Sequence, residues 1–179
     1  ADVVPPPGAF LQATEHGQQA LVAAVKEVVS GSGRVIDLFA GCGTFTLPVA
    51  ETAEVVALES EAGMLAALDA GWRHATGLKK VTTETRDLFC RPLMPDEMAK
   101  AGAVILDPPR AGAEAQIAEL VKASVPRIAY VSCNPVTFSR DAAALVAAGY
   151  HLDWIQVVDQ FRWSAHVELA ASFTAAHMR

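Results

Sequence analysis

Short apolar runs alternate with helical patterns along most of this 179-residue chain. The runs are rich in Val, Ile, Leu and Ala, which is typical of strands buried on both faces of a parallel sheet. Seven strands are predicted, and they cover residues 34–39, 54–58, 80–85, 101–106, 127–131, 150–158 and 166–174. Because helices between strands supply the crossovers that parallel pairing requires, this order predicts an α/β fold with a mostly parallel sheet and helices on both faces.

Segments with apolar residues at three- and four-residue spacing predict the helices. They cover residues 18–29, 44–52, 61–75, 113–124 and 135–148. Thr14 and Ser60 are the predicted N-caps of the first and third helices, and Pro135 fits the first turn of the last one. The final two strands follow each other without a helix, so we expect an antiparallel hairpin that closes one edge of the sheet.

The composition limits the classes of protein to which this chain can belong. A net charge of −6 argues against binding nucleic acid by bulk positive charge, so an RNA or DNA substrate needs a local basic surface or one from elsewhere. The three cysteines lack paired spacing, which predicts free thiols in a reducing cytoplasm. No apolar run is long enough to cross a membrane, and the five histidines form no metal-ligand cluster. We expect a cytoplasmic protein without a membrane segment or a metal.

The first residues differ in composition from the remainder. The chain starts with Ala1 rather than Met, and Val3-Val4-Pro5-Pro6-Pro7-Gly8 is typical of a linker. We expect residues 1–8 to be a linker or the tail of a missing amino-terminal region. Residues 9–179 are predicted to form one domain, because a chain of this size with 52% apolar residues can bury a full core.

A turn with two glycines follows the first strand, in Asp37-Leu38-Phe39-Ala40-Gly41-Cys42-Gly43-Thr44. Gly41 and Gly43 allow the backbone to approach a ligand that a Cβ would repel. The next strand ends on Glu59, where a carboxylate can accept hydrogen bonds from both hydroxyls of an adenosine ribose. The strand, turn and helix therefore predict a nucleotide-like cofactor, and the alternative is an ordinary tight turn.

Two residues favour S-adenosylmethionine (SAM) over a dinucleotide as that cofactor. A nicotinamide site uses a third glycine where this chain has Thr46, because a helix N-terminus must meet a pyrophosphate there. Asp37 would repel a pyrophosphate, but it can hold an ammonium group. SAM carries an ammonium and a ribose and has no phosphate, so the sequence favours SAM.

Aspartates follow the third and fourth strands at the same predicted edge of the sheet. Asp87 is placed to reach an adenine amino group, and a solvated loop aspartate is the alternative. Asp107 begins Asp107-Pro108-Pro109-Arg110-Ala111-Gly112, in which the prolines stiffen a loop over the cofactor. The alternative for Asp107 is an ordinary turn at a strand end.

A cysteine and a glutamate complete the set of reactive side chains. Cys133 follows the fifth strand and precedes a helix, at a position where ligands bind in open α/β sheets and where the helix favours the thiolate. A buried, inert thiol is the alternative. Glu168 interrupts the apolar pattern of the last strand. It is predicted either to face solvent on an edge strand or, with a raised pKa beside the cofactor, to abstract a proton.

Four motifs occur together in this order: residues 37–48, Asp-Pro-Pro-Arg-Ala-Gly at 107–112, Ser-Cys-Asn-Pro at 132–135 and His-Val-Glu at 166–168. With this spacing the chain resembles the catalytic domain of the RNA (uracil-5-)-methyltransferases, which make 5-methyluridine in transfer and ribosomal RNA. The resemblance covers nearly the whole chain from Phe10 onward. It implies a Rossmann-like class I SAM-dependent methyltransferase fold, an enzyme, and an RNA partner.

The resemblance also implies residue roles. Cys133 matches the nucleophile, which adds to carbon 6 of uracil so that carbon 5 can take the methyl group, and Glu168 matches the base that removes the proton from carbon 5. The implied cofactor-binding positions are Gln12, Phe39, Thr44, Glu59, Asp87 and Asp107, beside Gly41 and Gly43. The predicted substrate-binding residues are Asp107, Asn134 and Arg110.

The chain departs from the family in two ways. The family usually has Phe-Pro-His-Thr where this chain has Phe161-Arg162-Trp163-Ser164. The family also has an amino-terminal RNA-binding part, with an iron–sulfur cluster in some members, and this chain lacks that part. We therefore expect the RNA-binding domain to be missing from the chain.

Other functions stay open on the sequence. An amino-methyltransferase of adenine or glutamine has an aromatic residue at the position of Arg110, and a cytosine carbon-5 methyltransferase has its cysteine in the fourth-strand loop. A non-catalytic module that binds SAM or RNA would not need both Cys133 and Glu168. An NAD-linked oxidoreductase is the remaining alternative.

Overall fold

The computed structural model describes residues 2–9, 13–160 and 167–176. Its strands are β1 (Arg34–Leu38), β2 (Glu54–Glu59), β3 (Val81–Thr85), β4 (Ala103–Leu106), β5 (Arg127–Ser132), β6 (Tyr150–Val158) and β7 (Glu168–Ala175). They form one seven-stranded sheet in the order β3-β2-β1-β4-β5-β7-β6. Strands β1 to β5 pair in parallel, and β7 pairs antiparallel with both β5 and β6. The predicted α/β fold and the hairpin at the sheet edge are confirmed.

The helices are α1 (Glu15–Val29), α2 (Thr46–Val49), α3 (Ala62–His74), α4 (Pro95–Met98), α5 (Glu114–Ala123) and α6 (Pro135–Ala147). As predicted, Thr14 caps α1: its hydroxyl oxygen accepts the N–H of Gly17 at 3.0 Å. The predicted second helix was too long. A helix that began at residue 44 would place Pro48 beyond the first turn, where its ring and missing N–H break the helix.

The Ser60 prediction was also wrong. Glu61 is the N-cap residue of α3, without a side-chain capping bond, and the Ser60 hydroxyl donates to the carboxylate of Glu59 at 2.9 Å instead. The sequence analysis did not find α4, a single turn that begins with a proline. In the described part of the chain, no helix is long and apolar enough to span a bilayer.

A hydrophobic core lies on each face of the sheet, as predicted. On one face α1 and α3 contribute Leu21 and Leu68, and on the other α5 and α6 contribute Leu120 and Leu145, all of them inaccessible to solvent. Burying a leucine side chain contributes roughly 1.5–3 kcal/mol. Two filled cores fix the sheet, and the sheet in turn fixes the residues that follow each strand.

The segment predicted to be a linker packs against α3. A Cβ on Gly71 would lie 2.8 Å from Cγ2 of Val3 and 3.0 Å from the carbonyl oxygen of Asp2, and Pro6 lies beside Gly63. The absence of a side chain at Gly71 therefore lets the segment run close to the helix. The division between residues 1–8 and 9–179 stays a prediction.

Candidate active site

The predicted site residues lie along one edge of the sheet. The register places Leu38 opposite both Leu58 and Leu106, so the residues that follow these three are neighbours at the carboxyl ends of parallel strands. Those following residues are Phe39, Glu59 and Asp107. Strand β7 runs the opposite way, so its first residue reaches the edge where β5 ends. The fold therefore collects residues that are distant in sequence into one row.

Cys133 and Glu168 meet at this edge. Ser132 ends β5 and pairs with Leu169 on β7. Cys133 follows Ser132 and Glu168 precedes Leu169, so both residues belong to the same end of this strand pair. After burial, the charge of Glu168 is the largest cause of the raised pKa of Cys133, so the two side chains are close enough to interact.

Glu168 is buried, with a relative exposure of 2%. Strand β7 lies between β5 and β6, so the alternative of an exposed carboxylate on an edge strand is wrong. Burial raises the pKa of Glu168 above its ordinary value, because a low-dielectric surrounding disfavours the charged form. A carboxylate with a raised pKa beside a reactive thiol is suited to act as a base.

Cys133 is half-buried, and its pKa is raised rather than lowered. Burial is the largest cause, followed by repulsion from Glu168 and Asp107, whereas its own backbone N–H and Arg110 act in the opposite direction. The expectation that the helix favours the thiolate was therefore wrong in net direction.

Asp107 is the centre of a group of carboxylates. Burial raises its pKa to about 8, with further contributions from Glu168, Asp37 and Glu59 in that order. We call these four residues, Asp37, Glu59, Asp107 and Glu168, the acidic rim. Because each negative charge disfavours the next, the rim favours a ligand that carries positive charge.

Asp37 has an unpartnered oxygen. Its side chain is fully buried, and Oδ2 accepts a hydrogen bond from the Thr46 hydroxyl at 2.5 Å. Its Oδ1 has no hydrogen-bond partner among the described residues. Burial raises the pKa of Asp37 to about 7 despite the bond from Thr46. Thr46, which stands where a dinucleotide fold has glycine, thus orients the carboxyl group that faces the turn.

The glycine turn has an unusual backbone. Gly41, Gly43 and Phe39 have φ angles of 55°, 92° and 64°. A Cβ on Gly41 would meet only the sulfur of Met64 within 4 Å, so the space above it is open. A Cβ on Gly43 would lie 2.0 Å from Cδ1 of Leu68, so the absence of a side chain at Gly43 lets the turn pack against α3. A positive φ at a non-glycine residue such as Phe39 is strained and is typical of ligand sites.

Glu59 holds the glycine turn against the end of β2. Its Oε2 accepts the N–H of Gly41 at 3.1 Å. Its Oε1 accepts the N–H and the hydroxyl of Ser60 at 2.7 and 2.9 Å and the N–H of Glu61 at 3.1 Å. These bonds fill about four lone-pair sites of the carboxylate. A ligand hydroxyl would displace the Ser60 hydroxyl, because that donor can rotate away.

Asp87 stabilises its own turn. Its Oδ1 accepts the N–H groups of Phe89 and Cys90 at 2.9 and 3.3 Å. Bonding to the Cys90 side chain, and then to the N–H of Phe89, lowers the pKa of Asp87. The Phe89 ring lies 5.6 Å from that of Phe39, so the turn covers the start of the glycine loop. Contact of Asp87 with an adenine stays a prediction.

The comparisons with known proteins now identify the family. The model of the tRNA (uracil-5-)-methyltransferase family matches residues 81–175, which contain Asp107, Cys133 and Glu168. The chain belongs to this family. The resemblance inferred from the four motifs is confirmed.

Relatives and a solved structure agree with this family. An uncharacterized RNA methyltransferase of Brucella suis is 52% identical over 94% of the chain and 41% of its own length. A 23S rRNA (uracil(1939)-C(5))-methyltransferase of Pseudomonas fluorescens is 39% identical over 95% of the chain and 38% of its own length. The crystal structure of a Pyrococcus abyssi tRNA (uracil-54, C5)-methyltransferase with S-adenosyl-L-homocysteine matches with a TM-score of 0.81 and 29% identity, over 94% of the chain and 41% of that protein.

The fold is that of the class I SAM-dependent methyltransferases, as predicted. The chain spans about two fifths of the length of the curated relatives that it matches.

Sequence reasoning missed the residues that hold the loops of this methyltransferase domain. Gln116, buried on α5, donates to the carbonyl of Leu93 at 3.1 Å and accepts the N–H of Leu93 at 2.8 Å. The two guanidinium nitrogens of Arg86 bond both oxygens of Glu97 at 3.0 and 2.7 Å. Both contacts fix the loop that carries Asp87. Their only sequence signal is a polar residue inside an apolar helical pattern or beside a strand.

Asn134 is engaged by the protein at both ends of its amide. Its Oδ1 caps α6, and its Nδ2 donates to the carbonyl of Arg110 at 2.8 Å. Its predicted role in substrate binding, like that of Arg110, is untested. Gln12 and the segment Phe161-Arg162-Trp163-Ser164 lie outside the described residues.

Proposed function

We propose that this chain is the catalytic domain of a SAM-dependent enzyme that methylates carbon 5 of a uridine in tRNA or rRNA through a covalent adduct with Cys133. The observation that carries the proposal is that Cys133 and Glu168 flank the pair Ser132–Leu169, at one end of β5 and β7, and that the charge of Glu168 acts on the Cys133 thiol. A thiol and a buried carboxylate on one point are what carbon-5 methylation of a pyrimidine requires, because that carbon is a poor nucleophile until carbon 6 is attacked. An amino-methyltransferase would need neither.

The residues at the glycine turn fit SAM. The buried Oδ1 of Asp37, which has no hydrogen-bond partner among the described residues, is an acceptor for the ammonium group, and Glu59 has a carboxylate beside the turn for the ribose hydroxyls. The open space over Gly41 allows a ligand to approach the backbone. The other residues assigned to the cofactor are Gln12, Phe39, Gly43, Thr44, Asp87 and Asp107. When bound, SAM supplies a methyl group on a positively charged sulfur, and the acidic rim suits that charge.

Cys133 performs the covalent step. Its thiolate sulfur forms a bond to carbon 6 of the uracil, and the electron pair of the 5,6 double bond moves toward the ring carbonyl as an enolate. Carbon 5 thereby becomes nucleophilic enough to accept a methyl group. Glu168 then takes the hydrogen of carbon 5 as a proton, the double bond returns, and the bond between carbon 6 and sulfur breaks.

The acidic rim links the cofactor to the nucleophile. Glu168 and Asp107 help to raise the pKa of Cys133, so the thiol is the resting form. A cation bound at the rim acts in the opposite direction, because an opposite charge favours the thiolate. Deprotonation of Cys133 is therefore expected to follow binding of SAM.

The substrate is proposed to be an RNA whose target base is turned out of its stack, because a base inside a helix cannot reach a thiol at a sheet edge. The net charge of −6 supports a separate RNA-binding region that supplies the basic surface. The three cysteines of the chain are free, which supports a cytoplasmic location. We assign the choice between tRNA and rRNA to that proposed RNA-binding region.

The test is methyl transfer to RNA. The protein is incubated with methyl-labelled SAM and unmodified tRNA or rRNA, and the nucleosides are then separated. The expected product is 5-methyluridine, and Cys133→Ala should abolish it while leaving SAM binding intact. Label on another atom, or the same product from Cys133→Ala, would overturn the proposal.

A further inference from the structure

Asp141 is a buried acidic residue for which the proposed chemistry has no use. It lies on α6, two turns after Cys133, and its relative exposure is 1%. A buried carboxylate is costly unless it is fully hydrogen-bonded, so its retention at this position needs an explanation.

Its carboxylate joins three elements. Oδ2 accepts the hydroxyl of Tyr130 on β5 at 2.6 Å and the N–H of Ala113 at 2.7 Å. Oδ1 accepts the Nε of Arg140 at 2.9 Å. Arg140 in turn donates to the carbonyl of Ala111 at 3.2 Å. Strand β5, helix α6 and the end of the loop after β4 are thus held by one side chain.

The loop lies directly on this carboxylate. Gly112 has a φ of 80°, and a Cβ there would be 2.6 Å from Arg140 and 2.8 Å from Oδ2 of Asp141. The carbonyl of Arg110 accepts from Asn134 at 2.8 Å and from the Thr137 hydroxyl at 3.1 Å. Every one of these contacts ties the loop to α6.

The same loop carries two groups that act on the nucleophile. Asp107 begins this loop and Arg110 lies within it. Asp107 raises the pKa of Cys133 and Arg110 lowers it. Cys133 directly precedes the N-cap of α6. The distance between the loop and the helix therefore sets the arrangement of groups around the sulfur.

We propose that Asp141 is a positioning residue for methyl transfer, because it holds the loop of residues 107–113 at a fixed distance from Cys133. This inference rests on the proposed function. It assigns Asp141 no contact with the cofactor or the uracil. Displacing a reacting group by about 1 Å can cost on the order of 100-fold in rate, so loosening this contact lowers the transfer rate and not the affinity for SAM.

Two substitutions separate positioning from stability. Asp141→Asn removes the charge that holds both Ala113 and Arg140. Tyr130→Phe is the matched control, because it removes one hydrogen bond of the same carboxylate and leaves both loop contacts in place. Four quantities are measured for each protein: the single-turnover methyl-transfer rate at saturating SAM, the dissociation constant of SAM, the hydrogen-exchange rate of the Ala113 amide, and the melting temperature.

For Asp141→Asn we expect faster exchange at Ala113, transfer slowed by about 10- to 100-fold, and a SAM dissociation constant within about twofold of the parent. For Tyr130→Phe we expect a lower melting temperature with transfer within about threefold. Unchanged exchange at Ala113 in Asp141→Asn would overturn the inference without any reference to activity. An equal decrease of the methyl-transfer rate in both variants would mean that Asp141 only stabilises the fold and does not position the loop. If the parent protein transfers no methyl group to RNA, the proposed function fails first.

Discussion

Replacing Glu168 with glutamine removes the proposed base and nearly preserves the volume of the side chain. Glu168 is buried on β7, the strand between β5 and β6. The proposed reaction would then proceed through addition of Cys133 and methylation of carbon 5, and stop. The methylated adduct should accumulate on an ordinary uridine.

The magnitude follows from the two effects of the carboxylate. A positioned general base is worth about 100- to 10,000-fold, or about 2.7–5.4 kcal/mol of barrier, so turnover should fall by that factor. Glu168 also contributes to the raised pKa of Cys133, so the glutamine variant has a more acidic thiol. Formation of the adduct should therefore be as fast as in the parent, or faster.

The assay is denaturing electrophoresis and intact-mass analysis after mixing Glu168→Gln with SAM and unmodified RNA. A stable species with the mass of protein, RNA and one methyl group is expected within a single turnover, and Cys133→Ala combined with Glu168→Gln should abolish it. Turnover within tenfold of the parent would refute the reasoning about the base. Slow turnover without any adduct would refute the assigned order of steps.

Three further predictions concern the cofactor side of the site. Asp37 has a pKa of about 7 when folded against 3.8 in its ordinary state, so between these pH values the folded protein retains a proton that the unfolded chain releases, and its stability falls as the pH rises across that interval. Asp37→Asn lacks this pH dependence, so its melting temperature should exceed that of the parent by more at pH 8 than at pH 5, while it binds SAM more weakly. An equal difference in melting temperature at both pH values would contradict this. SAM should lower the pH at which iodoacetamide alkylates Cys133, whereas S-adenosylhomocysteine, which lacks the positive sulfur, should not. Mass spectrometry of the Cys133 peptide measures the extent of alkylation with each ligand. Equal shifts in pH would contradict an effect of the positive sulfur on the Cys133 thiol. Gln116→Leu leaves the N–H and the carbonyl of Leu93 without their partner, which costs about 1–3 kcal/mol for each group and loosens the loop that carries Asp87. Calorimetry should therefore show weaker SAM binding, while the transfer rate at saturating SAM stays unchanged. An unaltered SAM affinity would mean that this loop does not need the Gln116 contact.

Strands β1, β4, β5 and β7 were predictable because each is a largely apolar run that is buried on both faces. The edge of the sheet that carries the site was predictable because parallel strands end together. Asp107 and Cys133 were found because they directly follow such runs, and Asp37 was found because it lies just before the glycine turn. Glu168 was found as a charge within an apolar run, and only the strand order decided that it is buried.

The features that the sequence did not predict depend on contacts between distant parts of the chain. The pKa of Cys133 was predicted in the wrong direction because burial, and then the charges of Glu168 and Asp107, depend on parts of the chain that are distant in sequence. Ser60 was wrongly predicted to be an N-cap because its hydroxyl and its N–H donate to the Glu59 carboxylate instead, a contact that the sequence pattern does not reveal. Asp141 and Gln116 have the same helical pattern as solvated residues, so only the packed structure reveals them.

Covalent catalysis by Cys133 is the central claim, and an RNA that contains 5-fluorouridine tests it most directly. Fluorine at carbon 5 cannot leave as a proton, so the adduct remains attached to the protein. The account predicts, by intact-mass analysis with SAM, a species of protein plus methylated RNA that is absent from Cys133→Ala. If the protein converts uridine to 5-methyluridine and yet forms no such species, Cys133 is not a covalent nucleophile.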